Sequence, residues 1–101
     1  MMKIRIPFNE WSKKRLVHAK IATSRYKRYG KKGDTFSVGD YDYRIDFVVK
    51  LPLWFITYYL YRTEGAESPE EFQKVWANIH PKKGWLPEDE VWYHCFNEVI
   101  D

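Results

Sequence analysis

The spacing of apolar and polar positions changes several times along this chain, and each change marks an element. Lys3 to Ile6 alternates charged and apolar residues and stops at Pro7, which predicts a short edge strand. Asn9 then stands as an N-cap before Trp11, Leu16 and Val17, an approximate helical stripe among Lys13, Lys14 and Arg15 that ends near His18 or Ala19. Ile21 to Arg25 leads into a loop holding Gly30 and Gly33, and Asp34 to Val38 alternates again before a Gly39-Asp40 turn. Tyr41 to Leu51 is rich in Tyr, Ile, Phe and Val and predicts a long paired strand. The run from Leu53 to Tyr61 has strand-like propensity, but Pro52 at its start and Gly65 just beyond its end favour a helix. Ser68-Pro69-Glu70-Glu71 is a capping box, and Phe72, Val75, Trp76 and Ile79 follow at helical spacing up to His80-Pro81. Lys82 to Glu90 is a loop, and Val91 to Ile100 a closing strand. Strands enclosing two or three helices make a small α+β barrel the expected architecture, rather than a bundle or sandwich.

Length and charge sharpen this picture. The 101 residues suit one domain spanning 1–101, and a chain 45% hydrophobic and 19% aromatic has enough apolar surface to offset chain entropy. The net charge of +3 hides an asymmetry: residues 1–50 carry 13 Lys/Arg against five Asp/Glu, whereas residues 51–101 carry four against nine. The first half is thus a surface for an anionic partner. The longest uncharged stretch, Leu51 to Tyr61, has eleven residues, short of the roughly 20 that a membrane-spanning helix needs. The start of the chain lacks the apolar core of a signal peptide, and the single cysteine, Cys95, cannot close an internal disulfide. A cytoplasmic, monomeric protein with no membrane partner is expected.

The positive charge is concentrated further. Lys13, Lys14, Arg15, Lys20, Arg25, Lys27, Arg28, Lys31 and Lys32 fall within twenty residues that contain no acidic one. Such a run fits a solvated helix face and loop, but Tyr26 and Tyr29 are interleaved with it and Trp11 lies just upstream. Aromatic faces beside cations suit single-stranded nucleic acid, stacking bases while cations hold phosphates. Within the window, an extended Ile21–Arg25 puts Thr23 and Arg25 on one face and Ala22 and Ser24 on the other. A turn at Lys20 could set its amine beside Thr23 to accept the hydroxyl proton; equally, Lys20 could hold phosphate while Thr23 packs. His18, His80, His94 and Cys95 have no metal-ligand spacing, and no phosphate-binding glycine motif is present, so neither metal nor cofactor is expected. Phe72 and Trp76 read as core, and Trp85 as either a lid aromatic or a core plug.

In its order of motifs the chain resembles the ASCH domain family, small members of the PUA-like superfamily, from about Trp11 to Phe96. The family's Gly-x-Lys-x-x-Glu-x-Arg element stands here as His18-Ala19-Lys20-Ile21-Ala22-Thr23-Ser24-Arg25. Gly33-Asp34-Thr35-Phe36 and Ser68-Pro69-Glu70-Glu71-Phe72 follow in the family's order. Trp76-Ala77-Asn78-Ile79-His80-Pro81, with Gly84-Trp85 after it, looks like the small stand-alone prokaryotic and archaeal members. His18 replaces the usual glycine and Thr23 the usual glutamate; the same threonine occurs in a bacterial subgroup that hydrolyses acetylcytidine to cytidine and acetate. The resemblance implies a small PUA-like β-barrel with two or three helices packed against it, and RNA or a modified nucleoside as partner. By the same resemblance Lys20 is the proton acceptor, Thr23 the nucleophile and Glu64 the proton donor, with Glu67 the fallback for the last. Arg25 suits an oxyanion or a phosphate, and Tyr26, Lys27, Arg28, Tyr29, Lys31 and Lys32 complete the expected binding set. Three activities stay open on these residues: metal-independent hydrolysis of an acetylated cytidine, single-stranded RNA binding without catalysis, and a metal-independent ribonuclease.

Overall fold

Local signals in the chain are strong enough to place its helices. The computed structural model describes residues 2–18 and 21–100. It contains α1 (Glu10–His18), β1 (Ala22–Arg25), β2 (Thr35–Val38), β3 (Tyr41–Pro52), α2 (Leu53–Tyr59), α3 (Pro69–Ile79) and β4 (Glu90–Glu98). At the start of α1 the Asn9 side chain accepts the Ser12 N–H at 2.8 Å, the cap expected of it. At the start of α3 the Ser68 hydroxyl accepts the Glu71 N–H at 3.1 Å, and the Glu71 carboxylate reaches back to the Glu67 N–H at 3.0 Å. Pro52 is extended, with φ −68° and ψ 144°, so it ends β3 and caps α2 in one residue. The ambiguous run after Pro52 is therefore helical, as its flanking Pro and Gly indicate.

The strands form one antiparallel sheet in the order β1-β4-β3-β2, curled into a half-barrel, and with the three helices this is the α+β architecture expected. The predicted strand at Lys3–Ile6 is reduced to a single parallel bridge between Lys3 and Thr35. Pro7 has no N–H to continue the ladder, and the segment turns inward to bury Ile6 instead.

Both faces of the sheet are covered. Leu53 and Ile56 of α2, Phe72 and Trp76 of α3, and Ala22, Val91 and Tyr93 of the sheet make one core. Ile6, Leu16, Phe36, Tyr43, Ile45 and Phe96 make the other, with the Phe36 ring 5.1 Å from Phe96 and 5.4 Å from Tyr43. Each such side chain contributes about 1.5–3 kcal/mol through its removal from water. Trp85 is a core plug: it packs on the first cluster, and its indole N–H donates to the Thr57 hydroxyl at 2.9 Å. That hydroxyl in turn donates to the Leu53 carbonyl at 2.8 Å.

One loop contact positions the site. The Thr63 carbonyl accepts from both the Ile21 and Ala22 N–H groups, at 2.8 and 2.9 Å, docking the turn after α2 against the start of β1. Glu64 is thereby set beside β1. Replacing the α3 cap, Ser68→Ala, is expected to lower stability by about 1 kcal/mol. Denaturant unfolding checks this, and a shift in the midpoint with an unchanged slope is the expected form.

Candidate functional site

A cavity of about 520 Å³ opens between the Pro7–Ser12 segment, β1 with its exit, and α3. Its polar wall carries Ser12, Thr23, Ser24, Arg25 and Glu64, and its aromatic wall is built from Phe8, Trp11, Tyr26, Tyr29, Phe72, Trp76 and His80. On α3 the last three rings recur every four residues and stack, with Phe72 5.9 Å from Trp76 and Trp76 4.3 Å from His80.

Glu64 is the carboxylate at the centre of the polar wall. It is only 4% exposed and accepts the Ser24 hydroxyl at 2.5 Å. Glu67, by contrast, lies at the surface with its side chain 80% exposed, 3.8 Å from Arg15. Arg25 supplies the opposing charge. Burial lowers its pKa, and the negative charge of Glu64 works against that shift. The guanidinium plane is held near the Phe8 and Tyr29 rings, 5.0 and 5.8 Å from their centroids. Arg25 Nε donates to the Thr23 hydroxyl oxygen at 3.0 Å. Thr23 itself is 2% exposed, so this hydroxyl sits in a site with little bulk water.

His94 fixes the backbone behind these groups. It is fully buried, and its Nε2 accepts the Tyr29 N–H at 3.0 Å. Nδ1 therefore carries the proton and donates to the Thr23 carbonyl at 3.1 Å. Burial lowers the His94 pKa, the Arg25 charge adds to that effect, and the bond to the Thr23 carbonyl opposes it. On the other face of the strand, Tyr93 donates to the Thr63 hydroxyl at 2.6 Å, and burial together with Glu64 pushes the phenol up to about 12.

Of the expected site residues, Thr23, Arg25, Tyr26, Lys27, Tyr29 and Glu64 converge on this cavity. Lys20, the expected base, lies outside the described residues. Tyr26 is tied into the wall: its hydroxyl donates to Asp89 at 2.7 Å, its ring meets His80 and Trp76 edge-on, and the Lys83 ammonium sits 4.3 Å from its centroid. Arg28 and Lys31 lie outside the cavity on a shallow depression with Gly30 and Asp34. Lys32 is exposed in the neighbouring turn.

Sequence reasoning missed the second role of Phe72 and Trp76, which are core residues and cavity wall together, and the whole contribution of His94. The four-residue recurrence running on to His80 was the available signal for the wall; nothing local marks His94. Among the described residues no group of three or more His, Cys, Asp or Glu side chains could hold a metal ion.

No family model matches this sequence, and no curated protein matches it significantly. Two solved structures share its fold. An ASCH domain from Lactobacillus crispatus JV V101 matches with a TM-score of 0.69 and 11% identity, over 96% of this chain and 78% of that one. A DUF984 protein from Enterococcus faecalis V583 matches with a TM-score of 0.64 and 17% identity, over 98% of this chain and 81% of that one. The chain thus shares its α+β fold with an ASCH domain. Among the described residues no helix is long and apolar enough to cross a membrane.

Because the folded His94 resists protonation, the unfolded chain binds the extra proton first as pH falls below about 6.5. Stability is expected to be complete above that pH and to fall below it, through the lowered folded value. Thermal melts at pH 7 and pH 5 check this: His94→Gln should be less stable at pH 7 yet lose less between the two.

Proposed function

We propose that the cavity binds a pyrimidine nucleoside, free or within RNA, and that its polar wall hydrolyses the acetyl amide of acetylcytidine. The observation that carries this reading is the buried Glu64–Ser24 pair facing Thr23 and Arg25 in one cavity opposite an aromatic wall. A volume of about 520 Å³ is within the usual range for a small-molecule site. The recognition chemistry suits cytosine: a carboxylate accepts from its exocyclic nitrogen, a guanidinium donates to its O2 carbonyl oxygen, and the rings of the opposite wall cover its face.

The same groups suit amide cleavage. The Thr23 oxygen adds to the acetyl carbonyl as its proton passes to Lys20, the base assigned by resemblance. The bond from Arg25 favours the negative form of that oxygen. The carbon–nitrogen bond then breaks, the departing exocyclic nitrogen taking through Glu64 the proton that Lys20 received. Water splits the Thr23 ester, its hydroxyl joining the acetyl group, which leaves as acetate, and a proton returning to the Thr23 oxygen. A cytoplasmic setting accords with this reading, since the single cysteine, Cys95, closes no internal disulfide.

Wild-type protein is expected to release acetate from acetylcytidine without added metal. Thr23→Val should bring release to background while keeping cytidine binding, and Glu64→Gln should slow turnover by about a hundredfold or more. Acetate assays and calorimetric titration with cytidine separate the two layers. Cytidine binding without turnover leaves a binding module; absence of both overturns the reading. Product analysis on labelled RNA tests for strand cleavage.

A further inference from the structure

A free nucleoside has no need of the positive field that surrounds this cavity, and one row of side chains leads out of it. In the β1–β4 ladder Arg25 stands opposite Trp92, and in the β3–β4 ladder Trp92 stands opposite Lys50. Paired residues of antiparallel strands project from the same face, so Arg25, Trp92 and Lys50 form a line across three strands. It begins in the cavity wall at Arg25 and ends in solvent at Lys50.

A second cation folds back onto this line. The Arg28 guanidinium lies 5.2 Å from the Trp92 ring centroid, and the Lys50 ammonium lies 5.5 Å from the same centroid. Arg28 is held there by its Nε, which donates to the Gly30 carbonyl at 2.8 Å. Lys27 takes the matching place over Tyr29, at 5.2 Å. None of these three cations forms an ion pair among the described residues. Like charges gathered on one ring repel each other, and cation–π attraction at such exposed sites is about 0.5–1 kcal/mol. An anion placed between Arg28 and Lys50 removes that repulsion, and a charged chain continuing from the cavity meets Arg25, Lys27, Arg28 and Lys50 in turn.

We propose that Arg28 and Lys50, gathered on Trp92 in the row that leads out from Arg25, carry the phosphodiester backbone of a single strand whose base occupies the cavity. This rests on the reading of the cavity as a nucleoside site and names its larger partner: a polynucleotide. Trp92 gathers the cations that hold phosphates, so the row reads the charge of the strand and not its bases.

Lys50 is exposed and does not line the cavity, so its substitution tests the row alone. Fluorescence anisotropy of a labelled pyrimidine octamer is measured between 50 and 200 mM salt for wild type, Lys50→Gln, Lys50→Glu and Lys50→Arg. Lys50→Gln is expected to flatten the logarithmic salt dependence by about 0.7, the share of one phosphate contact on a single strand. Lys50→Glu should weaken binding by about tenfold or more, Lys50→Arg should restore it, and calorimetric cytidine binding should not change in any of them. Octamers of RNA and of DNA with one sequence decide which backbone the row prefers, and a preference for either supports it. Unchanged octamer affinity and salt slope in Lys50→Glu overturn the proposal, as does equal, Lys50-dependent retention on phosphatidylserine vesicles. Lost cytidine binding alongside intact Lys50-dependent octamer binding would instead sink the cavity reading and leave the row standing.

Discussion

Strand β4 is covered on both faces, and that single constraint organises the molecule. Lying between β1 and β3, it sends Val91 and Tyr93 into the core under α2 and α3, and Phe96 into the core under α1. The buried polar groups at the centre of this strand cannot turn to water, so each must find a partner inside. Tyr93 finds the Thr63 hydroxyl, and His94 finds the Thr23 carbonyl and the Tyr29 amide. These bonds also hold the turn after α2 and the exit of β1 where the cavity needs them. The packing of the sheet and the geometry of the candidate site are one problem with one solution.

The site itself is an electrostatic compromise. A buried carboxylate is costly unless paired and hydrogen-bonded, and Glu64 has the Ser24 hydroxyl and the nearby Arg25 charge. Arg25 is in turn stabilised by the Phe8 and Tyr29 rings. Each charge lowers the cost of burying the other. This dependence explains why the acidic half of the chain contributes one inward-facing carboxylate to a region that is otherwise basic. Lys27, Arg28, Lys31 and Lys32 stay at the surface, where their mutual repulsion persists in the absence of an anion.

Much of this was legible in the sequence wherever the signal was local. Asn9, Ser68 and the pair Pro52 and Gly65 mark helix ends through hydrogen bonds and backbone limits that act within a few residues. The long β3 strand and the Gly39 turn, at φ 61°, are of the same kind. The Lys3–Ile6 strand was overread because alternation reports a half-buried segment, not the number of ladder bonds that Pro7 allows. Trp85 stayed ambiguous because its partner, Thr57, is 28 residues away. His94 was unreadable for a stronger version of that reason: its bonds reach 65 and 71 residues back along the chain. Thr23, Arg25 and Glu64 were singled out by motif resemblance, while the rings facing them were read as core alone, since apolar spacing cannot separate a core from the wall of a cavity.

The pairing of β1 with β4 has a consequence for when the site comes into being. Ala22 meets Cys95 and Arg25 meets Trp92, so the contacts that close the cavity join the two ends of the fold. Bringing such distant segments together costs more chain entropy than any hairpin in the molecule. The β2–β3 hairpin and the two later helices can form from neighbouring residues, but β1 has no strand partner until residues 92–95 are in place. The Trp92 ring beside Arg28 and the His94 ring that holds the Tyr29 amide thus reach the basic segment only when β4 docks on β1.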